Sequence, residues 1–225
     1  MSNKILQFEY AIRTDPDCLL PFIKRLEIKS DQNHSVSVLL TRRRFPNLTH
    51  LELAGLDFTR EHSLFSKSLP TCPVHTLELN NMSFSASQLI RLVNNFQSLT
   101  SLTIVTGEDH SVNHNGQILP RPRHIRLTFL YLSIVPRMNI FIEHYLLEGN
   151  ILAELKTLRL SWKIPYNMLM SPHTYFVGVK SLLNGCGRTL ETLTLYFPEV
   201  PAIEEIADIC ALFQMIHFVA TLIMI

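Results

Sequence analysis

Residues 48–53 read Leu48-Thr49-His50-Leu51-Glu52-Leu53, with apolar residues at the first, fourth and sixth positions. In an extended chain successive side chains point to opposite faces. Leu51 and Leu53 therefore share one face, while His50 and Glu52 share the other. Working outward, the same hexad returns at Ile23-x-x-Leu26-x-Ile28, Val74-x-x-Leu77-x-Leu79 and Leu99-x-x-Leu102-x-Ile104. It continues at Leu127-x-x-Leu130-x-Leu132, Leu155-x-x-Leu158-x-Leu160 and Leu190-x-x-Leu193-x-Leu195. The starts at 23, 48, 74, 99, 127, 155 and 190 differ by 25, 26, 25, 28, 28 and 35 residues.

One hexad is a weak signal in a leucine-rich chain, but seven at near-constant spacing are a strong one. The first five gaps fall within the period of about 20–29 residues shown by leucine-rich repeats, and the sixth accommodates an inserted loop. The expected fold is α/β: a leucine-rich-repeat solenoid with a curved parallel sheet on its concave face and helices on its convex face. No single repeat can bury its apolar face alone, so neighbours must stack into a continuous core. The domain plan is an N-terminal helical cap or remnant over 1–22, about seven irregular repeats over 23–200, and a C-terminal apolar helix over 201–225.

Helices are expected between the strands. Ser85 can cap a helix whose apolar residues Leu89, Ile90, Val93 and Phe96 fall on one side. Residues 175–183 read similarly, with Gly185 and Gly187 suited to a C-terminal cap. Residues 35–44, 59–68 and 139–148 are weaker candidates. Three positions beyond the last hexad residue, where regular repeats place Asn or Cys, stand Leu56, Met82, Lys163 and Pro198. No asparagine ladder is expected. Residues 107–123 and 162–172 read as long loops, the kind of segment that carries specificity on a rigid scaffold.

Composition narrows the function. Only 17% of the 225 residues are charged, 47% are hydrophobic, and the formal net charge is +1. Such a balance argues against a nucleic-acid partner, which usually demands a strongly basic domain. No phosphate-binding glycine motif is found, so no cofactor is expected. The four cysteines, Cys18, Cys72, Cys186 and Cys210, form no C-x-x-C pair and read as buried free thiols. The first residues lack a sustained apolar stretch, and the expected location is cytoplasmic or nuclear.

His110 and His114 lie four apart, but in a turn-rich segment rather than on a helix that would align the rings. No H-E-x-x-H or G-x-S-x-G occurs. No metal site, catalytic residue or enzymatic activity is expected. Arg42, Arg43 and Arg44 read as a helix C-terminus, and Arg121, Arg123 and Arg126 as rim charges. Residues 209–225 carry no charge and sit at the lower edge of membrane-spanning length. Gln214, His217 and Thr221 weaken that reading, and a membrane is not an expected partner. A capping helix is favoured over a truncated end or a tail anchor.

The expected function lies on the concave face. There the third, fifth and seventh hexad positions look outward. Glu27, Glu52 and Glu78 would form one column beside His50 and Thr76, and like charges on neighbouring strands oppose one another. Phe129, Tyr131, Arg159 and Tyr196 supply the aromatic and Arg groups enriched in binding hot spots. The expectation is a protein partner with a basic stretch over the first three repeats and an apolar anchor over the last three.

The run Leu19-Leu20-Pro21-Phe22-Ile23-Lys24-Arg25-Leu26-Glu27-Ile28, with residues 45–53 and 190–195, resembles the leucine-rich region of fungal F-box proteins. The resemblance covers about residues 5–200. It implies a substrate-recognition domain of a ubiquitin ligase component, whose F-box would dock on a Skp1-type adaptor. No Leu-Pro-x-Glu-type opening precedes residue 23. The adaptor is therefore an expected partner only if an F-box lies upstream. The alternative is a stand-alone leucine-rich-repeat binding protein, of inhibitor or GTPase-activating type, with no ubiquitin role.

Overall fold

A computed structural model of the chain describes residues 20–29, 45–56, 72–105, 125–134, 138, 141–162, 181–186, 189–197 and 219–224. Each of the seven hexads contributes a strand: β1 (Arg25–Lys29), β2 (His50–Ala54), β3 (Thr76–Asn80), β4 (Ser101–Val105), β5 (Phe129–Ile134), β6 (Thr157–Trp162) and β7 (Thr192–Phe197). With an eighth strand, β8 (Val219–Met224), they form one sheet in sequential order, every neighbouring pair parallel. The class is α/β.

The register is constant, so hexad positions fall into columns. Leu26, Leu51, Leu77, Leu102, Leu130, Leu158 and Leu193 align across the sheet. From β2 to β7 the fourth and sixth hexad residues are all buried, as is Ile28 in β1. The first hexad positions from Leu48 to Leu190 are buried as well, and Ile23 and Leu26 at the edge are partly so. These residues and the helical segments form one hydrophobic cluster.

Three features outside the hexad complete the junctions. An apolar residue three positions before the hexad closes a turn onto it. The amides of Ile23, Leu48, Leu99 and Leu155 donate to the carbonyls of Leu20, Phe45, Phe96 and Leu152. All four acceptor residues bury their side chains. At the strand entry, one carbonyl accepts two amides from the next unit. Lys24 O takes the amides of Thr49 and His50, and Thr49 O takes those of His75 and Thr76. The arrangement repeats at His75, Thr100, Thr128 and Lys156. Hydroxyls of Thr49, Thr100 and Thr128 add a bond to the same carbonyls. At the strand exit, Gly55 (φ 66°) and Asn81 (φ 52°) occupy equivalent left-handed positions, which Gly adopts freely and Asn tolerates. Their amides extend the ladder to Asn80 and Val105. Where a regular repeat places Asn, Leu56 and Met82 are buried, and the Leu56 amide meets the Met82 sulfur at 3.4 Å.

The helix α1 (Ala86–Asn94) follows the sequence expectation. Ser85 is its N-cap, accepting from the Gln88 amide, while the Gln88 side chain accepts from the Ser85 amide. Leu89, Ile90 and Val93 are buried with Phe96 beyond the helix end. The expected helix over 139–148 is a wider π-helix at Phe141–Leu147. Its rings Phe141 and Tyr145 stack at 5.1 Å, and the Tyr145 hydroxyl donates to Asn94 Oδ1 of α1 at 2.8 Å.

Two expectations are corrected. Residues 181–186 are helical, so Gly185 lies inside the helix rather than capping it. A Cβ at Gly185 would meet the end of the Leu147 side chain, so the glycine lets the two segments approach closely. The second correction concerns the apolar helix expected over 201–225. Its end, Val219–Met224, is a strand paired with β7 from Thr192↔Val219 to Phe197↔Met224. Val219, Thr221 and Ile223 are β-branched, which costs side-chain freedom in a helix, and the edge of β7 offers backbone groups that a strand satisfies. No helix among the described residues is long and apolar enough to cross a membrane.

The remaining sequence expectations at residues 1–19, 35–44, 59–68, 107–123, 163–172, 175–180 and 201–218 lie outside the described residues. They include the cluster Arg42 to Arg44, the histidines at 110 and 114, and Cys18 and Cys210.

Candidate functional site

The outward face of the sheet is built from the residues that alternate with the buried leucines. Adjacent strands lie about 4.8 Å apart, so eight strands present a face about 34 Å wide. Its two halves differ in chemistry.

On β1 to β3 the expected acidic column is real: Glu27 aligns with Glu52, and Glu52 with Glu78. The structure also shows what balances it. Glu27 pairs with Lys29. That hydrogen bond chiefly, against an opposing desolvation effect and with help from the charges of Lys29 and Arg25, holds the Glu27 carboxyl below its ordinary range. Glu52 accepts from Asn80 Nδ2 at 3.0 Å and faces Arg25 Nη2 at 3.5 Å. Glu78 Oε1 lies 3.1 Å from His50 Nε2. Thr76 sits beside His50 in the register. The His50 and Glu78 side chains are 21% and 29% exposed, so that contact is less screened than an open surface pair.

His50, Glu52 and Glu78 bring one donor atom each within 4.8 Å of one another. Imidazole and carboxylate are ligands that Zn²⁺ accepts. Spacing rules could not find this group, since its members come from two strands and meet only through the register. Aligning the outward hexad positions set His50 beside the Glu52 and Glu78 column but gave no distances among them. Arg25 and Asn80 already serve Glu52, whereas His50 Nε2 lies close to Glu78 without a well-formed hydrogen bond.

On β5 to β7 the predicted aromatic and Arg residues come together. The Arg159 guanidinium lies over the Phe129 ring at 5.4 Å from its centroid, a cation–π arrangement. The rings of Tyr131 and Tyr196 approach at 6.2 Å with a tilt of 51°. The Tyr131 hydroxyl donates to Ser161 Oγ at 3.3 Å, which fixes the ring across β5 and β6. Arg159 stands between Tyr131 and Thr194 in the register and is exposed. Two outward positions are not available to a partner: Ser133 is fully buried and Thr194 is 7% exposed. The acidic and aromatic halves are separated by β4, so the nine predicted residues form two groups rather than one.

Chemistry elsewhere is subdued. Cys72 and Cys186 are buried. Burial pushes the Cys186 thiol up to about 12, so at neutral pH it is protonated and inert. Arg126, expected as a rim charge, pairs with exposed Glu154 at 2.5 Å.

No family model matches the chain, and no curated protein matches it. The functional reading therefore stands on the chain's own residues.

Proposed function

We propose that the chain is a leucine-rich-repeat solenoid acting as a non-catalytic protein–protein interaction scaffold, with its partner on the outward, concave face of the sheet. The repeat reading is supported by seven hexads in one register and by the recurring two-to-one hydrogen bond at each strand entry. The observation that carries the binding reading is the paired cluster Arg159–Phe129 and Tyr131–Tyr196 on β5 to β7. Aromatic rings and Arg dominate the energetics of interfaces. This cluster is held by the sheet itself, so a partner would meet it with little ordering cost.

By resemblance to fungal F-box proteins, the bound partner would be a protein selected for ubiquitination, in cytoplasm or nucleus. The stand-alone scaffold is the alternative, and the two differ only in adaptor binding. Cross-linking in cells, followed by purified reconstitution, tests the scaffold. A partner that binds the wild type with unchanged affinity for Tyr131→Ala/Tyr196→Ala would remove the face from the proposal. Retention of the gene's full-length product on a purified Skp1-type adaptor tests the ligase branch, and no retention leaves the stand-alone scaffold.

A further inference from the structure

We propose that Arg159 is an anchor for an acidic side chain of the partner, so that the scaffold reads a carboxylate flanked by apolar residues. This deepens the interaction reading above and rests on it.

The inference starts from which charges the face has already matched. On β1 to β3 two of the three carboxylates are served by the chain's own groups, Glu27 by Lys29 and Glu52 by Arg25 and Asn80, while Glu78 has the His50 ring beside it. A basic partner there would displace contacts that exist. This argues against the basic stretch expected from the sequence. On β4 to β7 the outward positions hold hydroxyl, aromatic and aliphatic residues and a single charge, Arg159. Arg25, Lys29, Arg126 and Lys156 each have a carboxylate within ion-pair distance. Among the described residues, Arg159 has none; nor do Lys24 and Arg91, neither of which lies on β4 to β7.

Its geometry suits the task. Stacking on Phe129 engages one flat face of the guanidinium. The N–H groups lie in the plane, along the edges, and a carboxylate can take two of them side by side. The ring beneath lowers local hydration, which strengthens such a pair. Tyr131 and Tyr196 stand beside it and offer apolar area to the residues flanking the acid. A carboxylate is favoured over a phosphate because phosphate readers gather several Arg side chains, and this half of the face has one cation.

The experiment is selection of a random dodecapeptide library on the full chain, followed by titration of a selected synthetic peptide. The expected peptides carry Asp or Glu next to aromatic or aliphatic residues. Arg159→Gln should weaken the peptide about ten- to hundredfold. Replacing the peptide's acid by its amide should weaken it similarly, and combining both changes should cost little more than either alone. Arg159 is exposed, so the variant should keep the wild-type Tm. Selection of basic peptides, equal affinity for Arg159→Gln, or a Ser peptide that binds only once phosphorylated would overturn the carboxylate assignment. Peptides that bind Tyr131→Ala/Tyr196→Ala as well as the wild type would instead overturn the underlying choice of face. Failure to select any peptide would count against both.

Discussion

Tyr145 joins two parts of the helical layer that lie far apart in sequence. Its hydroxyl donates to Asn94, 51 residues away, inside a core where the Tyr145 ring is fully buried and Asn94 is 7% exposed. Tyr145→Phe removes that hydroxyl and nothing else. The ring keeps its volume and its stacking on Phe141 at 5.1 Å. The cost is chiefly that of the buried hydrogen bond to Asn94. That is about 1–2 kcal/mol. For a chain of this size it corresponds to a fall in Tm of about 2–8 °C. Tyr145→Ala, which also loses the ring, should cost about 3–5 kcal/mol. Urea unfolding of the wild type, Tyr145→Phe, Asn94→Ala and the double variant isolates the bond. A coupling of about 0.5 kcal/mol or more is expected between the two positions. Strict additivity, or a Tyr145→Phe variant as stable as the wild type, would show that the two segments do not meet as described.

Ser85→Ala removes the cap of α1 and should cost about 1 kcal/mol by the same urea assay. Gly185→Ala should gain less than helix propensity alone predicts, because the Leu147 side chain must first move aside. In a Leu147→Ala background the same change should stabilise by up to about 1 kcal/mol through helix propensity, and equal effects in both backgrounds would contradict the close approach. Native-state alkylation with peptide mapping should leave Cys186 unmodified at pH 8 until the protein unfolds. Its raised pKa also fixes the sign of a stability change. The thiol's contribution is intact below the unfolded value near 9 and falls as pH rises toward about 12, at about 1.4 kcal/mol per unit from this group. Stability rising over that window would contradict the assignment.

Strand positions and the buried columns were legible because a period of two within each hexad and a period near 26 between hexads both leave marks in one sequence. Leu51, Leu77 and Leu102 could be placed inward from pattern alone. The capping of α1 was legible because Ser85 and Gln88 stand three apart. Other features were hidden for physical reasons. The turn closed by Leu20, Phe45, Phe96 and Leu152 blends into a leucine-rich background. The role of Gly185 depends on Leu147, which no local pattern connects to it. β8 follows no hexad, and its apolar run suits helix or strand until β7 offers it an edge. On the face, spacing named Glu27, Glu52 and Glu78 as a column with Arg25, Lys29 and His50 as partial offsets, but could not name Asn80 as a partner of Glu52. The pairing of Arg159 with Phe129 needed the register of β5 and β6.

The two-to-one bonds at the strand entries have a consequence for how such a chain can change length. Thr49 gives its amide to Lys24 and its carbonyl to His75; His75 gives its carbonyl to Thr100, and Thr100 to Thr128. Peptide groups linked head to tail polarise one another, so each bond strengthens the next. Every junction presents the same connector on both sides. A whole unit can then be duplicated or excised with no new bonding problem at the cut, whereas a partial unit breaks the line. Gene rearrangements that respect this period would lengthen or shorten the sheet while leaving the bonding of the remaining strands unchanged.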